Sequence, residues 1–323
     1  MKLGTFTVVL GDMGLEQTCE FLAKNGVQMV EIGCGGYPGQ AHCNPKELLQ
    51  DEAKLEQFKK VIRDHQLEIS ALSCHGNMIH PVKEIAKSYD DDLTDAILLA
   101  EKLGINVINT FSGCPGGSPE DKTPNWITCP WPDDFLHALD YQWNEVLIPY
   151  WKQKVAFAKE HGVNKIALEL HPGFLVYNTK TLLRLRKEVG PEIGANFDPS
   201  HLVWQGMDPC TCIRELGKEG AIFHFHAKDT KIDAANTSLN GVLDTTHYAE
   251  EINRSWIFRA VGYGQGEDYW KAILSELRMA GYDYVISIEH EDSLMTGREG
   301  LIKAIKCLKD LLIYEPKGVM FWA

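Results

Sequence analysis

Three carboxylates and one imidazole hold comparable positions in the second half of the chain, each closing a short apolar run. They are Glu169 in Ile166-Ala167-Leu168-Glu169, Asp198 in Ala195-Asn196-Phe197-Asp198, His226 in Phe223-His224-Phe225-His226, and Glu289 in Ile286-Ser287-Ile288-Glu289. A carboxylate at the end of an apolar segment is costly to take out of water, and three meeting at one place repel unless a cation lies between them. With one imidazole nitrogen they form a donor set suited to a single divalent ion. Mn²⁺, Mg²⁺ and Co²⁺ fit best, Zn²⁺ and Fe²⁺ are also compatible, and coordination positions remain for substrate oxygens. The competing reading is that each acid caps the following helix or pairs with a neighbouring base. For one acid alone that is the more ordinary reading; for four groups in register it is the less ordinary one.

The elements that must position these groups follow from their spacing. Intervals of 29 and 28 residues separate Glu169, Asp198 and His226, and 63 separate His226 from Glu289. The first two match a strand-helix unit of about 30 residues, and the third is one unit plus a long excursion. Eight β-branched or apolar runs read as strands: Leu3–Val9, Gln28–Gly33, Glu68–Ser73, Val107–Phe111, Lys165–Leu170, Ile193–Phe197, Ile222–His226 and Tyr284–Ile288. Several are apolar almost throughout, as parallel strands covered on both faces are. Amphipathic segments alternate with them: Leu15–Asn25, Pro45–Asp64, Tyr89–Leu103, Asn144–Glu160, Lys180–Lys187, Asp268–Ala280 and Arg298–Leu311. Asn44-Pro45 has the form of an N-cap followed by a first-turn proline, and Gly26, Gly104, Gly162 and Gly281 stand where helices should end. The fold class expected is therefore α/β, a (β/α)₈ TIM barrel forming a single domain over residues 1–323. Two segments, 112–142 and 229–265, are too long for plain connections and would rise as loops at the C-terminal ends of strands four and seven, where barrel active sites lie. Residues 314–323 read as a tail.

Composition narrows the function further. The 323 residues are 44% hydrophobic and carry a formal charge of −13 with no basic cluster, which argues against a nucleic acid partner. No leader-like h-region opens the chain and no run approaches the length of a membrane span, so neither export nor a membrane partner is expected. Nine cysteines without a CxxC pair suit reduced thiols, and a cytoplasmic location is the expectation.

At the four strand ends the sequence resembles the xylose isomerase-like barrel superfamily of sugar isomerases, ketose 3-epimerases and inosose-processing enzymes. Asp198-Pro199-Ser200-His201 is similar to its D-x-x-H element and His226-Ala227-Lys228-Asp229 to its H-x-K-D element. Val30-Glu31-Ile32-Gly33, Ser70-Ala71-Leu72-Ser73-Cys74-His75-Gly76 and Ser287-Ile288-Glu289-His290-Glu291-Asp292 extend the likeness over nearly the whole chain. The resemblance implies that Glu169, Asp198, His226 and Glu289 bind the metal, and that Glu169 and Glu289 are also the acid and base pair. It further implies that His201 supports a ligand or touches substrate, that His75 faces substrate, and that the protein is often a homo-oligomer, a dimer or tetramer. The activity implied is isomerisation or epimerisation of a sugar, keto-sugar or cyclitol by proton abstraction beside a carbonyl through an enediolate.

Other residues are open to two readings each. Lys228 could orient substrate or only neutralise the acids. His171 and His290 follow ligand glutamates and could touch substrate, while His224 points to the same face as His226 but deeper. Arg259 could bind substrate, with Gly262, Gly264 and Gly266 offering N–H groups to a phosphate or hydroxyl, or the glycines could serve the turn alone. Trp126, Trp131, Trp204 and Trp256 could stack on a sugar or merely cover the barrel mouth. A lyase eliminating water or an aglycone through the same enolate is the main alternative. An AP-endonuclease-like phosphodiesterase would need a further histidine where strand four ends Asn109-Thr110-Phe111-Ser112, and a non-catalytic sugar-binding protein would not need four ligands.

Overall fold

Alternation of buried strands with one-sided helices closes the chain on itself. In the computed structural model, which describes residues 1–322, eight parallel strands form a closed barrel. They are β1 (Lys2–Phe6), β2 (Met29–Gly33), β3 (Glu68–Ser73), β4 (Val107–Thr110), β5 (Lys165–Glu169), β6 (Ile193–Phe197), β7 (Ile222–Ala227) and, after a separate antiparallel pair β8 (Asp229–Ile232) and β9 (Trp256–Arg259), β10 (Val285–Ile288). Strand β10 lies between β7 and β1 and so completes the ring. The chain is thus the expected single-domain (β/α)₈ barrel.

The outward strand faces and the inward helix stripes make one continuous core, with Trp151 and Trp270 among its largest fully buried side chains. Local signals set the element ends. Gly104 leaves the helix Lys83–Leu103 at φ +70°, a left-handed conformation that costs glycine nothing, and its N–H closes onto Ala100 and Glu101. Asn44 caps the helix Pro45–Gln50 as expected, accepting from the Glu47 N–H with Pro45 in the first turn. The expected helix Pro45–Asp64 is two, Pro45–Gln50 and Glu52–Asp64. Asp51 breaks it because its carboxylate accepts from the N–H groups of Ala53 and Lys54 and starts a second helix.

Other boundaries differ for similar reasons. The first strand stops at Phe6, and Thr7–Leu10 turn into a 3₁₀ segment. Residues 112–142 are not wholly loop, since Asp133–Tyr141 is helical and runs through a π turn, Gln142–Leu147, into Ile148–Glu160. Residues 229–265 hold β8, β9 and the short helix Ala234–Asn240. Pro199–Trp204 and Pro209–Lys218 are helices that the sequence pattern did not single out, each started by an aspartate cap and a first-turn proline. In the 314–323 tail, residues 314–322 carry no helix or strand, and Ala323 lies outside the described residues.

Candidate active site

The four strand-end groups converge because their strands are consecutive in the ring, β5, β6, β7 and β10. One ligand-type atom from each of Glu169, Asp198, His226 and Glu289 lies within 4.8 Å of all the others. His226 Nδ1 is 3.0 Å from Glu289 Oε2 and 3.5 Å from Glu169 Oε2. Asp198 does two things at once. Its Oδ1 accepts from the Ser200 N–H at 2.8 Å and caps the helix Pro199–Trp204, while Oδ2 turns into the cluster. The helix-cap reading is therefore correct for one oxygen and leaves the other facing the cluster.

Whether these residues suit a cation can be judged from their unmet bonding. Asp198 Oδ2 and Glu289 Oε2 are buried and accept no hydrogen bond, although Lys228 Nζ approaches them to 3.1 and 2.7 Å. Five carboxylates, Glu31, Glu169, Asp198, Glu289 and Glu291, face one lysine and a few histidines. Burial, only partly opposed by Lys228 and reinforced by Glu169 and Glu289, pushes Asp198 up to about 7. Burial alone would raise Glu289 too, but Lys228 and His226 bring it down to about 2. Crowded anions whose buried oxygens accept no hydrogen bond are what a divalent ion resolves, and the donor set fits one.

The position of His226 depends on a residue that the sequence pattern did not flag. Glu31, in the middle of β2, is fully buried and lies directly behind the ring, with His226 Nε2 donating at 2.9 Å. Ser73 Oγ (2.5 Å), Asn109 Nδ2 (2.9 Å) and Ser287 Oγ (2.7 Å) donate to the same carboxylate. An ionised carboxylate only accepts, so the Nε2 proton is fixed toward Glu31 and Nδ1 faces the acids. Burial would raise the Glu31 pKa, but His226, His224 and these donors hold it well below the usual carboxylate range. Burial likewise would lower His226, and the charges of Glu31 and Glu289 hold it well above its ordinary value. The signal available beforehand was an acid flanked by Val30 and Ile32 inside a strand apolar on both faces.

The remaining candidates separate clearly. His201 Nε2 is 3.0 Å from Glu169 Oε1, and His75 Nε2 is 3.1 Å from Glu169 Oε2, so the two imidazoles bracket that carboxylate. Burial would raise Glu169, but these neighbours hold it well below its ordinary value. Lys228 is buried to 2% exposure, pairs with Asp198, Glu289 and Glu291, and lies 4.6 Å over the Phe258 ring. His171 packs 4.1 Å from His201, ring to ring, and lines a cavity of about 240 Å³ with His75, Glu169, Lys228 and Glu289. Phe6, Tyr37 and Phe111 form the apolar side of that cavity. His224 lies deeper, bonded to Asn196 and Ser70, with burial bringing it down to about 4.

Arg259 is not among the residues lining that cavity: its Nε is tied to Asp292 at 2.9 Å. The glycine turn is also committed. Gly262, Gly264 and Gln265 give their N–H groups to the carboxylate of Asp229, joined by Trp270 Nε1, so the cradle holds a side chain of the chain itself. Trp204 and Trp256 stack on one another at 4.6 Å, and Trp131 is exposed. A larger hollow of about 670 Å³ at the opposite mouth, near Arg63, Glu68, Lys165 and Tyr284, includes none of the clustered ligand groups. Among the described residues no helix is long and apolar enough to cross a membrane.

Comparison with known proteins agrees with this fold. A family profile described as xylose isomerase-like TIM barrel matches residues 19–311. The chain is 41% identical to the uncharacterized protein YfiH of Bacillus subtilis over 97% of its own length and 99% of that protein. Among solved structures it is similar to the IolI protein with a bound zinc atom, at TM-score 0.67 and 18% identity over 97% of this chain and 98% of that one. It is also similar to AsbF of Bacillus anthracis, described as a probable 3-DHS dehydratase, at TM-score 0.66 and 18% identity over 96% and 99%. A D-tagatose 3-epimerase-like protein aligns at TM-score 0.64 and 21% identity over 96% and 98%.

Proposed function

The chain belongs to the xylose isomerase-like TIM barrel family, and from that premise we propose that it is a divalent-metal-dependent isomerase or epimerase of a sugar, keto-sugar or cyclitol. The observation that carries this reading is the convergence of Glu169, Asp198, His226 and Glu289, with buried carboxylate oxygens that accept no hydrogen bond. These four residues hold the ion, of which Mn²⁺, Mg²⁺ and Co²⁺ are the best matched to three oxygens and one nitrogen, and Zn²⁺ or Fe²⁺ remain compatible. Bound there, the ion supplies positive charge that polarises a substrate carbonyl and makes the neighbouring C–H more acidic.

The chain's own residues do the rest. Glu169 and Glu289 enter the cavity from β5 and from the end of β10 and so can address a substrate carbon from two directions. One carboxylate removes the proton beside the carbonyl and the other returns one. Return to the opposite face of the same carbon epimerises, and return to the adjacent carbon isomerises. His201 holds Glu169 through a hydrogen bond to Oε1, and His75 lies against Oε2. Lys228, kept as an ammonium by the surrounding acids, faces the cavity and stabilises an enediolate oxygen. His171 lines the same cavity and contacts substrate, whereas the tie to Asp292 removes Arg259 from the proposed set.

A second reading draws on additional room beyond His171 and Glu291. A leaving group one carbon from the enolate would be expelled, making the protein a lyase. Incubation of the metal-loaded protein with ketoses, inososes and keto-glycosides in deuterated buffer, followed by NMR, tests both. Deuterium at the carbon beside a carbonyl without loss of a group supports the isomerase or epimerase, an unsaturated product supports the lyase, and exchange with none of them refutes the proposal.

A further inference from the structure

The cavity holding the clustered acids does not end the concave surface. A second cavity of about 440 Å³ adjoins it, and the two share His171 and Glu291 as their common boundary. The other residues lining the second are Tyr248, Ile257, Phe258 and Ser293. At about 240 Å³ the inner cavity falls below the roughly 300 to 1,000 Å³ typical of sites for larger organic ligands, and the outer one extends it into that range.

The outer wall is built in advance. The Tyr248 ring lies stacked 6.0 Å from that of Phe258, Trp256 packs against both, and the Arg254 guanidinium lies over the rings of Tyr248 and Trp256 at 4.2 and 4.6 Å. Arg254 is itself buried and bonded to the backbone at Trp256 and Thr246, so this packing anchors the segment that carries Tyr248. Phe258 also lies under the Lys228 ammonium, which links the wall to the acid cluster. The Ile257 and Phe258 side chains offer no polar atoms; His171 and Glu291 stand at the boundary with the inner cavity, and Ser293 and the Tyr248 hydroxyl are the other polar side-chain groups of the lining.

We propose that the substrate has two parts: the sugar-like ring that reacts among the acids, and an aryl group attached to it that occupies the second cavity against Tyr248, Ile257 and Phe258. The inference rests on the proposed function for its first part. An aryl group suits the side formed by the Tyr248 ring, Ile257 and Phe258 better than a second sugar ring, because hydroxyls turned toward those apolar surfaces would lose water without gaining partners.

The test is titration calorimetry of the Mg²⁺-loaded protein with phenyl β-D-glucopyranoside, methyl β-D-glucopyranoside and cellobiose. The phenyl glycoside is expected to bind about tenfold more tightly than the methyl one, the gain ordinarily associated with burying one aromatic face. Tyr248→Ala should reduce that ratio at least threefold while circular dichroism remains that of the parent. Equal affinities for the two glycosides, no measurable binding of the phenyl glycoside, or tighter binding of cellobiose would overturn the inference. A ratio unchanged in both Tyr248→Ala and Ile257→Ser would overturn it as well. Failure of the proposed function looks different: deuterium exchange would be absent with every ketose while the phenyl preference persisted.

Discussion

Replacing Glu31 by glutamine probes the site without touching any of the four clustered residues. Oε1 of Glu31 accepts from Ser73, Asn109 and His226, and Oε2 accepts from Ser287 and His226. An amide of the same shape keeps one accepting oxygen and turns a nitrogen toward at least two donors, whichever way it is placed. The charge behind His226 disappears, and with it a charge-assisted hydrogen bond worth about 1.5 to 3 kcal/mol. The ring is then free to rotate or to carry its proton on Nδ1, the atom that faces the acids. Loss of a carboxylate supporting a ligating histidine ordinarily lowers metal affinity about 10- to 100-fold, equivalent to roughly 1.4 to 2.8 kcal/mol, the same size as the bond removed. Competition between the protein and a fluorescent chelator for Mn²⁺ at pH 7.5 gives the affinity directly, with circular dichroism to establish that Glu31→Gln is folded. A folded variant that binds Mn²⁺ within twofold of the parent would show that the buried carboxylate does not aim His226, and the argument from hydrogen bonding would fail.

Three further outcomes are expected. Glu289→Gln should fold yet lose solvent proton exchange into any accepted ketose, as read by NMR, and retention of more than about a tenth of the exchange rate would remove Glu289 from the acid and base pair. Metal affinity should rise with pH: His226 is held well above its ordinary value and Asp198 near 7 without metal, and ligation requires both deprotonated. The gain should therefore approach tenfold per unit and steepen below about pH 7, and a flat profile between pH 6 and 8 would contradict the ligand set. Gly264→Ala should lower thermal stability, because a Cβ there meets the Thr230 carbonyl at 2.5 Å and Asp229 Oδ1 at 2.6 Å. The expected loss is about 1 to 3 kcal/mol, and an unchanged melting temperature would mean that the turn around Asp229 is looser than its hydrogen bonds indicate.

The barrel was readable because its strands are buried on both faces and recur at regular intervals, so apolar runs alone located all eight to within three residues. The convergence of Glu169, Asp198, His226 and Glu289 was readable for the same reason, since strand-end positions in one ring must face one another. Glu31 was readable only in part: an acid between Val30 and Ile32 in an apolar strand signals a buried partner, but nothing local identifies that partner as a histidine 195 residues away. Arg259 and the glycine turn show a similar limit. Their type suited an anionic ligand, but Asp292 and Asp229, fixed by tertiary packing, supply that anion from within the chain. Asp51 and Asp198 each combine a cap with another consequence, a helix break in one case and an open oxygen in the other.

The proposed chemistry requires a single cation held by two glutamates, an aspartate and a histidine at the C-terminal mouth of the barrel. Anomalous diffraction from crystals soaked in Mn²⁺ tests it most directly. One peak of near-full occupancy is expected, bonded to Glu169, Asp198, His226 Nδ1 and Glu289, with His226 Nε2 still donating to Glu31. A peak elsewhere, or none at these residues in crystals that otherwise diffract unchanged, would contradict it.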